Sequence, residues 1–181
     1  MTQAVSDAME IGGRTLRLIR DDITLLDVDA FVFYAQHDLA LGSGFGNAIS
    51  VRGGPSIKKE LDEMEPVETG DVALSGAGNL KAKHILHAVG PRFNEPDTEG
   101  KLRTTLLNCL KTADEKGLKR IALPPMGTGF YAVPLELCAR VMLETIKSYL
   151  EGETGIEEVV ICVVDHREFA PFEARLASLN R

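Results

Sequence analysis

Apolar positions along this chain fall into short segments that switch between strand spacing and helical spacing. Residues 8–11 and 14–20 read as two strands joined at Gly12-Gly13, a dipeptide that supplies positive φ at both central turn positions. Phe31, Val32, Phe33 and Tyr34 form an apolar run suited to a strand buried on both faces. A glycine-rich stretch, Gly42-Ser43-Gly44-Phe45-Gly46, precedes a helical segment that begins near Asn47. Residues 72–75 and 84–89 are two further strands, and Pro91 and Pro96 place a loop after them. Leu102, Leu106, Cys109, Leu110 and Ala113 recur at helical spacing, and Gly117 ends that helix. Ile121-Ala122-Leu123 is a short strand, followed by Pro124-Pro125-Met126-Gly127-Thr128-Gly129. Leu135, Cys138, Met142, Ile146 and Tyr149 mark the next amphipathic helix, with Pro134 in its first turn. Residues 159–164 form a β-branched strand, and 168–179 a closing helix.

Strands alternating with helices predict an α/β fold: a three-layer α/β/α sandwich around a mixed, mostly parallel sheet of six or seven strands. The alternation runs through residues 1–181 without a linker or repeat, which predicts a single domain.

Composition narrows the function. Asp plus Glu number 27 against 20 Lys plus Arg, a formal net charge of -7, and no dense basic cluster is present. A domain that grips a nucleic-acid backbone by counterion release shows the opposite sign, so a nucleic-acid partner is not expected. No apolar run is long enough to span a membrane, and residues 1–10 are too polar and acidic for a signal peptide. The three cysteines, Cys109, Cys138 and Cys162, are widely spaced with no CxxC, so neither a metal site nor a disulfide is expected. The implied compartment is the reducing cytoplasm. His84 and His87, three apart on one strand, point to opposite faces and cannot share a metal.

The chemistry concentrates in two glycine-rich loops, 42–46 and 127–129, each after a strand and before a helix. Ligands of α/β sheets collect at the carboxyl ends of strands. Loops without bulky Cβ groups bring backbone N–H groups close to a phosphate, and a helix N-terminus adds partial positive charge. Neither loop is a P-loop, because no Lys-Ser or Lys-Thr follows the glycines, and neither fits GxGxxG. Two such loops in one domain suit an extended anion such as a diphosphate. An acidic domain can hold one through backbone dipoles, without electrostatic steering.

Five fragments in order then carry a family resemblance. They are Asp22-Ile23-Thr24; Asp29-Ala30-Phe31-Val32; Leu39 with Gly42, Gly44, Ala48 and Ile49; Lys83 to Pro91; and Ile121 to Pro124 with Gly127-Thr128-Gly129. Together they resemble the macro domain, an ADP-ribose-binding module, over residues 14–175. The resemblance implies that the Asp22 carboxylate accepts the adenine amino group and that the Ile23 N–H faces a ring nitrogen. It implies that Gly42, Ser43, Gly44, Phe45 and Gly46 wrap the distal ribose and a phosphate. Gly127, Thr128, Gly129, Phe130 and Tyr131 would cradle the diphosphate, with Tyr131 or Phe130 against the distal ribose. Val164 falls at a family position beside the adenine that is often aromatic, and Asp165 follows it.

The chain departs from the family at the residues that matter for hydrolysis. Gln36 replaces an asparagine that holds the distal ribose in hydrolytic members, and Gly46 replaces an acid of one hydrolytic branch. Ser43 and Ala132 replace loop glycines. The departures resemble non-hydrolytic members. The expectation is a reader of free or protein-linked ADP-ribose, with no cofactor and little hydrolysis. A hydrolase of ADP-ribosyl or O-acetyl-ADP-ribose esters and a ligand-free interaction scaffold are the alternatives. His37, beside Gln36, is the one candidate for a substitute base.

Overall fold

A computed structural model describes residues 4–5, 8–129 and 131–179 of the chain. Its strands are β1 (Ala4–Val5), β2 (Met9–Ile11), β3 (Arg14–Arg20), β4 (Ala30–Tyr34), β5 (Val72–Gly76), β6 (His84–Ala88), β7 (Arg120–Leu123) and β8 (Glu158–Val163). The helices are α1 (Phe45–Gly53), α2 (Ser56–Asp62), α3 (Thr98–Glu115), α4 (Leu135–Glu151) and α5 (His166–Leu179), with a 3-10 turn at Ile23–Leu25.

The strands form one sheet in the order β1-β3-β8-β7-β4-β6-β5, with β2 also paired to β3. The run β3-β8-β7-β4-β6 is parallel, and β1, β2 and β5 add antiparallel pairings at the two ends. The macro-domain-like, mixed and mostly parallel sheet is thus present. Seven of its eight strands among the described residues correspond to the segments expected from the sequence, and the eighth, β1, is only two residues long, too short to leave a pattern.

Side-chain alternation along the strands builds two cores. Ala30, Val32, Leu86, Ile121, Val159 and Ile161 face α3, α4 and α5. Phe31, Phe33, Ile85, Ala122 and Val160 face Ile49 of α1 and Ile57 and Leu61 of α2. The parallel strands are therefore buried on both sides, which is why they read as continuous apolar runs. The β2–β3 hairpin turns at Gly12 and Gly13 with φ of 58° and 84°, the double positive pair a two-residue loop requires.

Element ends differ from the sequence expectation by a few residues, each for a local reason. α1 begins at Phe45, two residues before Asn47, because Gly44 leaves helical geometry and acts as its N-cap. α3 starts at Thr98, where the Asp97 carboxylate accepts the Gly100 N–H. Pro134 is the N-cap of α4 with ψ of 137°, immediately before the first turn. Val164 lies one residue past β8.

One polar side chain is sealed in the sheet. His87 is fully buried, edge-on to Phe33, with Nε2 2.7 Å from Ser75 Oγ. Ser75 gives its hydroxyl proton to the Gly76 carbonyl at 2.8 Å, so the His87 Nε2–H is the donor to Ser75. Nδ1 has no partner among the described residues, and burial pushes the imidazole pKa down to about 4.

Candidate functional site: a cleft at the strand ends

Four adjacent parallel strands, β3, β8, β7 and β4, deliver their carboxyl ends to one edge of the sheet. A cleft of about 840 Å³ opens there, within the range of small-molecule sites. After β3 come Asp21, Asp22, Ile23 and Thr24; after β7 come Pro124 and Pro125; Val164 and Glu168 follow β8. Gly44, Phe45 and Ala48 line it from the start of α1, and Thr128 and Gly129 from the second glycine loop. The two loops thus border one cavity.

The loop end of the cleft is built from backbone. Gly44 caps α1, and the first intrahelical bond among the described residues runs from the Ala48 N–H to the Gly44 carbonyl at 3.0 Å. The N–H groups of residues 45–47 lack intrahelical acceptors by their position in the first turn. The Phe45 ring turns away, stacked on Phe31 at 6.0 Å and edge-on to Phe33 at 5.2 Å. A Cβ at Gly44 or Gly129 would meet nothing within 4 Å, so both backbones border open space. The second loop is closed by hydrogen bonds from Ala132 to Gly129 and from Val133 to Gly127.

The other end carries charge. Asp22 Oδ1 accepts the Thr24 N–H at 2.9 Å and the Thr24 hydroxyl at 2.6 Å, and Arg52 donates to Oδ2. Burial opposes the charge, but these hydrogen bonds outweigh it and hold Asp22 below the usual carboxylate range. Val164 stands 65% exposed, an apolar surface at the rim. Glu168 accepts the Val164 N–H at 2.9 Å, and Asp165 accepts the Glu168 N–H at 2.9 Å. Asp165 therefore caps α5 and is outside the cleft lining, whereas Glu168 is in it. Sequence reasoning missed Glu168; the Asp-x-x-Glu spacing of a capping pair was its signal. It also missed Thr24, Ala48 and the Cys162 wall, whose thiol burial pushes up to about 12.

The remaining expected residues flank the cavity. Gln36 is exposed, and its amide lies against Gly42, where a Cβ would come within 2.9 Å of Nε2. Ser43 is exposed in the same loop. Gly127 packs on Val133 and the Tyr34 ring. The Tyr131 ring lies 4.9 Å from that of Tyr34, whose hydroxyl donates to the Pro91 carbonyl at 2.5 Å. Phe130 lies outside the described residues. Gly46 is buried so tightly that a Cβ there would fall 1.6 Å from the Leu41 carbonyl oxygen. No side chain fits that position in this loop.

His37 is fixed from both sides. Arg92 Nε donates to Nδ1 at 3.1 Å, and Nε2 lies 3.0 Å from Thr69 Oγ1. An arginine N–H cannot accept, so the neutral ring carries its proton on Nε2 and donates it to Thr69, which donates on to Glu95 at 3.1 Å. No group of three or more His, Cys, Asp or Glu side chains that could hold a metal occurs among the described residues. No helix among them is long and apolar enough to cross a membrane.

Comparison with known proteins agrees with this geometry. The macro domain pattern matches residues 34–142. A macro domain-containing protein of Caldanaerobacter subterraneus subsp. tengcongensis is 36% identical over 172 residues, covering 92% of this chain and 98% of the relative. The Oceanobacillus iheyensis macrodomain solved with ADP superposes with a TM-score of 0.93 at 28% identity, covering 99% of this chain and 98% of that one. The Trypanosoma brucei macrodomain solved with ADP-ribose gives a TM-score of 0.84 at 26% identity, covering 89% and 68%. With the fold, the cleft and these matches in agreement, the chain belongs to the macro domain family.

Proposed function

We propose that this chain binds ADP-ribose, free or attached to protein, and hydrolyses its esters little or not at all. The observation that carries the reading is one cleft bordered by both glycine loops and ending on an ionised, pre-oriented Asp22. The spatial order suits the ligand. The adenine amino group would meet Asp22 and a ring nitrogen the Ile23 N–H, with Val164 supplying apolar cover without stacking. The diphosphate would lie between Gly44-Phe45 and Thr128-Gly129, held by N–H groups and the α1 N-terminus. The distal ribose would reach past the cleft lining toward Gln36, Gly42, Ser43 and the Tyr131 ring, with Gly46 and Gly127 shaping the loops from behind. The relatives solved with ADP and with ADP-ribose support this class of ligand.

Weak hydrolysis follows from three features. A general base must reach the proton it takes. Gly46 carries no side chain and has no room for one. Gln36 places its amide about one bond length further out than an asparagine would, and ~1 Å in a positioning group can cost about a hundredfold. The Nδ1 lone pair of His37 is held by Arg92, and Nε2 carries the proton, so this ring has no free base nitrogen. The test incubates the protein with an aspartyl- or glutamyl-ADP-ribosylated protein and with O-acetyl-ADP-ribose, reading binding and release together. Binding without turnover is expected. Turnover at the level of an authentic hydrolase, abolished by Gln36→Ala or His37→Ala, would replace the reader with an enzyme.

A further inference from the structure

Glu168 lines the cleft at a place that none of the contacts given above uses. Its place follows from the sheet. β8 pairs in parallel with β3 on one side and with β7 on the other. Asp22 follows β3, and Thr128 and Gly129 follow β7, so the carboxyl end of β8 lies between the base end of the cleft and its phosphate end. In a nucleoside diphosphate the sugar joins the base to the phosphates. A nucleotide laid from Asp22 to the glycine loops therefore carries its adenosine ribose across the end of β8.

That end supplies Cys162, Val164 and Glu168 to the lining. The ribose brings its 2′- and 3′-hydroxyls, and a hydroxyl taken out of water needs an acceptor for its proton. The Cys162 thiol is itself a donor, to the Asp21 carbonyl at 3.4 Å, and the Val164 side chain is apolar. Glu168 is the acceptor among the three. Its Oε1 receives the Val164 N–H at 2.9 Å, which ties the carboxylate to the segment after β8. Its Oε2 makes no hydrogen bond or ion pair among the described residues. Each carboxylate oxygen has two acceptor sites, so Glu168 is anchored on one oxygen and open on the other. We propose that Glu168 accepts the adenosine ribose hydroxyls and makes this cleft selective for nucleotides that carry them. The inference rests on the nucleotide-binding reading of the cleft given above.

ADP and 2′,3′-dideoxy-ADP test it, because they differ only in those hydroxyls. Each is titrated by calorimetry into the wild-type protein, Glu168→Ala and Glu168→Gln, with thermal unfolding as the check of fold. Solvent screening at a half-exposed carboxylate brings a charge-assisted hydrogen bond below its usual strength, so wild type is expected to prefer ADP by about fivefold or more. Glu168→Ala removes the acceptor. Glu168→Gln keeps an oxygen for the Val164 N–H but loses the charge. Each is expected to cut the preference at least about twofold. The charge that Glu168 sets near the diphosphate, and any loosening of the segment after β8, act on both nucleotides alike, so the ratio reads the sugar contact alone. A wild-type preference below fivefold, or a smaller fall than twofold in either variant that folds, would overturn the role of Glu168 while leaving the ADP reading intact. Failure of wild type to bind ADP would overturn both.

Discussion

Asp22 is held and charged in the way the proposed adenine contact requires. Its two Thr24 bonds and the Arg52 contact fix the carboxylate and keep it charged. A charge-assisted hydrogen bond from a ligand amino group is then worth ~1.5–3 kcal/mol. Asp22→Ala is expected to weaken ADP-ribose binding roughly ten- to a hundredfold, measured by calorimetry. Ala132 carries strain of a different origin. Its φ is 59°, a left-handed conformation that costs a residue with a Cβ about 1–2 kcal/mol. Glycine relieves that cost but gives back about 0.4–1 kcal/mol through unfolded-chain entropy. Ala132→Gly is therefore expected to stabilise the protein by up to about 1.6 kcal/mol, a rise in Tm of about 3–6 °C at most. His87 sets a pH dependence. Its imidazole titrates near 6.5 when unfolded and at about 4 when folded. Between those values the unfolded state binds more protons, so stability is full above pH ~6.5 and falls as the pH drops toward 4. The shift corresponds to about 3 kcal/mol at the limit. Denaturant melts from pH 7 to 4 should show this loss, and His87→Gln, which keeps a donor for Ser75, should flatten it.

At the scale of elements, the first glycine loop and α1 behave as one unit. Gly46 must be glycine because the Leu41 carbonyl occupies the space of a Cβ, and Gly42 leaves room for the Gln36 amide. Gly46→Asp would restore an acid in composition while displacing the loop, at a cost of about 1–3 kcal/mol for overpacking. It is expected to lower Tm by a few degrees and to leave hydrolysis absent; gain of turnover with unchanged Tm would show that the position is open. The sequence alone reveals that a small residue stands at 46. It cannot reveal the reason, because Leu41 approaches through the turn of the loop. The same limit applies elsewhere. The strands were legible because parallel strands buried on both faces leave apolar runs, as at Phe31-Val32-Phe33. The glycine loops stood out because glycine runs after strands are local signals, and Asp22 was picked out only through the family resemblance; the structure puts all three on one cleft. Arg52 was not, since its contact with Asp22 joins residues 30 positions apart on separate elements. Nor was the locking of His37, which depends on Thr69 and Arg92 from two other segments.

For the whole molecule, the parallel centre of the sheet accounts for how an acidic protein would hold the proposed acidic ligand. β3, β8, β7 and β4 end together, so the proposed adenine end at Asp22 and the proposed phosphate end at the glycine loops lie along one cleft. Among the described residues, the lining next to Gly44 and Gly129 contributes loop backbone and small side chains, while Asp21, Asp22 and Glu168 gather at the other end. In the proposed binding mode the net charge of -7 costs association rate more than affinity, because fixed N–H dipoles hold the anion. AMP, which leaves the second phosphate and distal ribose positions empty, should bind more weakly than ADP-ribose. The most direct test of the account is calorimetric titration of ADP-ribose into the wild-type protein and Asp22→Ala. The account predicts one site of micromolar order, about -8 kcal/mol, weakened at least tenfold by the substitution. No binding heat at any temperature tried, or equal affinity in the two proteins, would contradict it.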